Sequence, residues 1–255
     1  MGDEMTTTLD TLRALPLFSD ISKAEGDLLV RNSRIMTCKR GQFLFMHGDA
    51  ITHFYVICRG AMQIFRETPG GQEITNEILI AGDTINADEV VSRQDLHNLN
   101  ARAVEDCSLL EISISWMRAH LKDFDHIAEK LLVNLADRLQ EVQIEAEHLT
   151  TMSAAQMVAC YLQKLCVLYN FDPHGFELPY TKSLIATRLR IEKETFSRTL
   201  KLLRDQGITV TGTHVSIQDM RKADNFVCGE CSVANECATH RVLHERIDKR
   251  ARGNY

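Results

Sequence analysis

The 255-residue chain, with 44% apolar and 25% charged side chains, has the balance of ordinary globular material and the length for one large or two small cores. No run reaches the roughly 18 to 20 apolar residues of a membrane span, and the acidic, Thr-rich opening MGDEMTTTLD lacks the charged and apolar regions of a signal peptide, so a cytoplasmic protein without a membrane partner is expected. Eight cysteines in such a reducing compartment argue for metal binding, redox chemistry or plain burial over a disulfide framework, and the net charge of -6 averages over faces that never meet a ligand.

From Gly41 to Ser113 short runs, Gln42 to Met46, Phe54 to Cys58, Ala61 to Phe65 and Ile74 to Ile80, are punctuated by Gly48, Gly60, Gly70, Gly71 and Gly82. Strands this short, broken at residues that permit tight turns, predict an antiparallel barrel or jelly roll serving as a sensor domain. A stretch without Pro or Gly follows from Trp116 to Tyr169, in which Leu132, Leu135, Leu139, Val142, Ala146 and Leu149 recur at alternating steps of three and four. That spacing is an a/d seam, kept narrow by Asp137, Glu141 and Glu145, and predicts a helix pairing with a second copy of the chain. The turn signal Asp172-Pro173-His174-Gly175 marks a loop before the next unit.

Thr181 can cap a helix running to about Leu189, and a second helix from about Lys193 to Asp205 stops at Gly207. Ile185, Leu189, Ile191, Phe196, Leu200 and Leu203 form an inward set, leaving Lys193, Glu194, Ser197, Arg198 and Lys201 on the outward face of the second helix. Between Tyr180 and Arg204 seven basic residues (Lys182, Arg188, Arg190, Lys193, Arg198, Lys201, Arg204) stand against Glu192 and Glu194, so an acidic chain carries a basic patch. Such a patch binds phosphates by displacing counterions, while Arg198 can reach guanine O6 and N7, Glu194 can accept from a cytosine amino group and Ser197 can do either. The candidate DNA-binding residues are Lys182, Lys193, Glu194, Ser197, Arg198 and Lys201. Ile208 to Ile217, a strand, a glycine turn and a strand, completes a winged helix-turn-helix.

LPLF at Leu15 to Phe18, GQFLFMHGD at Gly41 to Asp49, YVICRG at Tyr55 to Gly60, GD at Gly82-Asp83 and ETFSRTLKLLRDQG at Glu194 to Gly207 resemble, in this order, the CRP/FNR superfamily of transcription regulators. The resemblance covers Leu15 to Asp219 and implies an α+β chain: an N-terminal antiparallel β-roll with a helical lead (1–118), a dimerisation helix (119–153), a C-terminal winged helix-turn-helix (154–222) and a cysteine-containing tail (223–255). It also implies a homodimer that acts with RNA polymerase on palindromic double-stranded DNA. Glu194, Ser197 and Arg198 match the E-x-x-S-R pattern of the FNR branch, which implies TTGAT-type half-sites. Two departures are Arg190, where the family often has glycine in the turn, and Glu192, where Ser or Thr usually caps the recognition helix. The positions that hold cyclic nucleotide in the CRP branch read Asn86-Ala87 and His97-Asn98, so cyclic AMP is not the expected effector.

Cys228, Cys231 and Cys237 form C-x2-C-x5-C in a loop-like segment beyond the wing, and three thiolates within ten residues can surround one centre. The spacing is similar to that of FNR-type oxygen regulators, whose array lies at the N-terminus, and implies an iron-sulfur cluster, of the 4Fe-4S type, sensing oxygen, nitric oxide or redox state. Cys107, His240, His244 or a helix carboxylate such as Glu141 could supply a fourth ligand. The alternative is a structural zinc of Cys3His type, with His240 or His244 and a small effector other than cyclic AMP. Haem on Met46, His47, His53 or Cys58 is a further alternative. Cys38, Cys58, Cys160 and Cys166 sit among apolar neighbours and read as buried small residues. No phosphate-cradling glycine motif, nucleophile elbow or HExxH points to an enzyme.

Overall fold

The computed structural model describes residues 7–92, 94–169, 172, 174–229 and 231–251; the first six residues of the opening, and Phe171 and Pro173 of the expected loop, lie outside the described residues. The chain divides into two compact units, Met1–Leu139 and Gln140–Tyr255.

The first unit opens with α1 (Leu9–Arg13), a 3-10 turn at Pro16–Phe18 and α2 (Lys23–Arg31). Ser22 and Glu25 start α2 with a reciprocal capping box, which satisfies two otherwise orphaned backbone donors. Eight strands follow: β1 (Ser33–Cys38), β2 (Phe43–Phe45), β3 (His53–Arg59), β4 (Ala61–Glu67), β5 (Glu73–Ile80), β6 (Thr84–Ile85), β7 (Asn100–Ala103) and β8 (Cys107–Ser113). They build two antiparallel sheets ordered β1-β8-β3-β6 and β2-β7-β4-β5, the expected roll, with β1 preceding the glycine-punctuated stretch that announced it.

Strands β3 and β8 are apolar on both faces because both faces are covered. Phe54, Val56, Leu110 and Ile112 pack under the helices with Leu12, Phe18 and Leu29, whereas Ile57 and Leu109 face Met62, Ile64, Ala101 and Ala103 inside the roll. Each of these fully buried large side chains contributes roughly 1.5–3 kcal/mol relative to exposure. Gly60 turns β3 into β4 at φ 93, and a Cβ there would lie 2.7 Å from Cys107 Sγ and 2.8 Å from the Asp106 carbonyl, so conformation and space both demand glycine.

After α3 (Ile114–His120) and a 3-10 turn at Leu121–Asp123, α4 runs from Asp125 to Thr151. The expected helix began at 119; its start is delayed because Phe124 leaves helical geometry (φ -132, ψ 59) to bury its ring completely. The Pro-free and Gly-free stretch is divided again at Ser153, where a second capping box, with Gln156, begins α5 (Ala154–Leu168). Along α4, Leu132, Leu139, Val142 and Leu149 are 64%, 61%, 54% and 43% exposed among the described residues, so most of the predicted seam stands open. Arg138, beside the seam, pairs with Glu77 of β5.

The second unit contains α5, β9 (Phe176–Glu177), α6 (Lys182–Arg188), α7 (Lys193–Leu202), a 3-10 turn at Leu203–Gln206, β10 (Ile208–Thr211), β11 (His214–Ile217), α8 (Met220–Cys228) and α9 (Ala238–Ala251). The sheet β10-β11-β9 is antiparallel, and the Thr211–His214 pairing leaves Gly212-Thr213 as the two-residue wing turn. The segment beyond the wing, expected to be loop-like, is two helices joined by a turn-rich stretch that carries Cys231.

Candidate functional site: recognition helix and thiol centre

Thr181 caps α6 through its hydroxyl on the Leu184 amide (3.3 Å), and the chain then turns through Arg190 at φ 57 into α7. A non-glycine residue held in this left-handed region costs roughly 1 kcal/mol. Glu192 occupies the N-cap without a side-chain capping bond, which forgoes about another 1 kcal/mol. Both departures noted in the sequence are therefore real features of the turn. Burial of Ile185, Phe196 and Leu203 fixes α6 across α7, with Thr199 as an additional buried contact and Leu189, Ile191 and Leu200 partly covered. Gly207, at φ 81, ends the element as a left-handed C-cap.

Lys193, Glu194, Ser197, Arg198 and Lys201 all lie exposed on α7, and Lys182 is half-buried at the start of α6. Among the described residues Arg198 reaches the Thr195 hydroxyl at 3.3 Å with one of its nitrogens, so its guanidinium keeps donors for a ligand. Arg188 behaves differently. Its side chain is 16% exposed and pairs with Glu145 of α4, which withdraws one of the seven basic residues from the patch. Tyr161 of α5 and Tyr180 before α6 join this polar group through a 2.5 Å hydroxyl contact, and burial pushes both phenols upward, Tyr161 to about 12.

Cys228 is the last residue of α8, and Cys237 directly precedes α9. Between them the chain folds in tight turns: the Cys231 amide donates to the Cys228 carbonyl (3.2 Å), Ala234 to Cys231 (3.3 Å) and Cys237 to Val233 (3.0 Å). Cys231 Sγ lies 3.5 Å from His148 Nε2 on α4, and Ser232 donates to Glu147 on the same helix. Burial holds the His148 imidazole below its ordinary range and so favours its neutral form.

Cys160 of α5 feels the charge of the same segment. Its thiol is pushed up to about 12, first by burial and then by Cys237 and Cys231. Cys228 is raised by burial, then by Asp224, Cys160, Cys231 and Cys237. The four thiols thus oppose one another's ionisation. From the sequence Cys160 reads as a buried small residue, and helical phase sets it apart from Cys166. Cys160 shares the less buried stripe of α5 with Gln156 and Lys164, whereas Cys166 lies on the fully buried face.

Each fourth-ligand candidate drawn from the sequence has a partner in the structure. Cys107 is buried in the roll, its thiol donating to the Ala61 and Glu105 carbonyls at 3.2 Å. Glu141 pairs with Lys164 at 3.1 Å. His240 and His244 donate to Asp224 at 3.1 and 2.8 Å, and among the described residues these three bring their ligand atoms within 4.8 Å of one another. Asp224 is 4% exposed, so the two histidines clasp α9 to α8 around a buried carboxylate.

In the roll, Asn86 adopts φ 60 and donates to the His53 carbonyl at 3.2 Å. His97 is 7% exposed, stacks on Phe45 with centroids 3.5 Å apart, and is held below its ordinary range by burial. A buried neutral imidazole cannot provide the charge-assisted contact a cyclic phosphate needs. Of the haem candidates, Met46 and His47 are exposed, His53 bonds the Thr52 hydroxyl at 2.8 Å and Cys58 contacts the Val56 carbonyl.

A β-roll, a long helix with an uncovered apolar seam and a winged helix-turn-helix define a DNA-binding transcription regulator. Residues 35–123 match the family described as "Cyclic nucleotide-binding domain", and residues 156–222 match "Crp-like helix-turn-helix domain". The chain is 27% identical over 201 residues to the "Cyclic AMP receptor protein" of Thermus thermophilus, covering 79% of this chain and 91% of that protein. It is 22% identical over 210 residues to the "Transcriptional activator protein Anr" of Pseudomonas protegens, covering 80% and 84%. The fold is that of FixK2 from Bradyrhizobium japonicum, with a TM-score of 0.67 at 19% identity over 76% of this chain and 96% of that one. The protein belongs to the CRP/FNR family of transcription regulators, which are not enzymes. Among the described residues, no helix is long and apolar enough to cross a membrane.

Proposed function

We propose that the protein is a homodimer that reads a palindrome of TTGAT-type half-sites through Lys182, Lys193, Glu194, Ser197, Arg198 and Lys201. Its DNA binding responds to oxygen, nitric oxide or redox state through an iron-sulfur cluster held by Cys228, Cys231 and Cys237. The dimer is supported by the exposed seam of α4, and the DNA contacts by the shared exposed face of α7. RNA polymerase is the protein partner this function implies.

The observation that carries the cluster is the placement of these three half-buried cysteines at the tight turns between α8 and α9. Thiolates are the ligands iron-sulfur clusters use, so the donor set fits. A bound cluster would supply these thiolates with a centre that oxidants degrade. The protein's own part is to hold three sulfurs on a short turn-rich segment and to screen them with His148. The zinc alternative requires His240 or His244 among the ligands, and each already gives one ring nitrogen to Asp224.

Iron and acid-labile sulfide should be found together in protein purified without oxygen, and binding to the palindrome should differ between anaerobic and air-exposed samples. Zinc without sulfide would overturn the cluster, and binding indifferent to air would overturn its sensing role.

A further inference from the structure

We infer that Cys160 is the fourth sulfur of the centre, so that the ligand set is Cys160, Cys228, Cys231 and Cys237 and one ligand belongs to α5. This deepens the proposed function and rests on its cluster.

Helix α5 packs against α8 and α9, the two helices that bracket the other three cysteines. Gln156, which closes the capping box of α5, also donates to the Phe226 carbonyl in the last turn of α8 at 3.3 Å. Cys160 follows Gln156 by one helical turn on the same stripe, and Cys228 follows Phe226 by two residues, so this bond draws the two cysteines together. From the other side, the His148 contact to Cys231 and the Ser232 bond to Glu147 draw the intervening turns against the end of α4, three residues before α5 begins.

This assignment changes how the centre can speak to DNA. Helix α5 also packs against α7, the recognition helix. Tyr161, adjacent to Cys160, meets Tyr180, which precedes the Thr181 cap of α6. A ligand on α5 therefore ties the centre to both helices of the reading head within one unit. A set confined to the tail would act on the reading head only through the packing of α8 and α9.

The test compares full-length wild type with Cys160→Ala, Cys228→Ala and Cys166→Ala, each reconstituted anaerobically with ferrous iron and sulfide. Bound iron, acid-labile sulfide and visible absorbance are read per chain, and folding is checked by circular dichroism of the metal-free protein. Loss of an outer-sphere partner already costs 10- to 100-fold in metal affinity, so loss of a ligand should lower bound cluster at least about tenfold. We expect that loss in Cys160→Ala and Cys228→Ala, with Cys166→Ala unchanged.

Wild-type loading of Cys160→Ala beside an empty Cys228→Ala would overturn the assignment of Cys160 and leave the proposed function standing. Loading of Cys228→Ala, or no loading of wild type, would overturn both. If Cys160→Ala does not fold, Cys160→Ser keeps the volume with a poorer ligand. Its absorbance should then bleach in air at least about tenfold faster than wild type, and equal bleaching would overturn the assignment.

Discussion

The cysteines of the roll and those of the C-terminal unit share an upward shift in their thiols and differ in what the thiols face. Cys38 and Cys107 stand opposite each other across β1 and β8, almost wholly buried, and each gives its S–H to a nearby carbonyl: Cys38 to Gln42 at 3.4 Å, Cys107 to Ala61 at 3.2 Å. Burial raises Cys107 to about 11 and Cys160 to about 12. The shift alone therefore does not separate a packing cysteine from a ligand. The partners do: backbone carbonyls satisfy the roll thiols, while Cys231 lies against the imidazole of His148. The same contrast runs through the rest of the molecule. The roll closes its chemistry inside its own sheets, and the C-terminal unit turns the basic residues of α7 outward.

The largest test of that contrast lies on α4, whose seam belongs to neither core. Leu139→Glu should place a charge at an apolar contact between two copies and convert the protein to a monomer by sedimentation. Because two linked half-site contacts exceed one by roughly 100-fold or more, palindrome binding should fall by at least that factor. A dimer of unchanged stability would remove the seam from the interface.

On the outward face of α7, Arg198→Ala should cost about 1 to 3 kcal/mol on the cognate palindrome and relax discrimination at one base pair. Lys201→Ala should weaken all sequences alike and reduce the salt slope by about 1. Competition titrations against single mismatches at several salt concentrations separate the two. Equal losses on specific and mismatched DNA for Arg198→Ala would reduce that residue to a phosphate contact.

The thiol comparison itself can be broken inside the roll. Cys107→Ala removes a buried side chain and should destabilise the roll by roughly 1 to 2 kcal/mol in urea unfolding while bound iron and sulfide stay at wild-type levels. Cys228→Ala should do the reverse. Loss of cluster in Cys107→Ala would return Cys107 to the ligand set.

The roll and the reading head were legible in the sequence because their signals are local. Glycines mark the roll's turns, and the step of three and four separates Phe196 and Leu203 from Arg198 and Lys201. Even the strained Arg190 and the uncapped Glu192 could be read, since each rule concerns one residue at one turn. The thiol centre could be read only in part. Cys228, Cys231 and Cys237 are neighbours along the chain, but Cys160 lies 68 positions before Cys228 and joins them through the packing of α5 on α8. The withdrawal of Arg188 by Glu145 was hidden for the same reason, because the pair is 43 residues apart. The late start of α4 reflects tertiary demand as well: burial of Phe124 outweighs helix propensity along a stretch with no helix breaker.

The smallest expected effect concerns His97, where the roll's closure reaches a titratable group. Burial against Phe45 lowers its folded-state pKa, and Asp49 opposes that only in part. The unfolded chain, with an ordinary histidine near 6.5, takes up a proton first as pH falls, so stability is complete above about 6.5 and declines below it. The decline ends once pH passes beneath the folded-state pKa, and its slope cannot exceed about 1.4 kcal/mol per pH unit for one proton. Trp116, the single tryptophan, packs on His120 and Phe124 in the same unit and reports its unfolding. Urea titrations of wild type and His97→Gln between pH 7.5 and 5.5 should show a shallower loss for the variant, because other titrating groups are common to both. Parallel curves would mean that His97 can charge in place. In that case a cation would be available in the roll, and the argument against a phosphate ligand would fail with it.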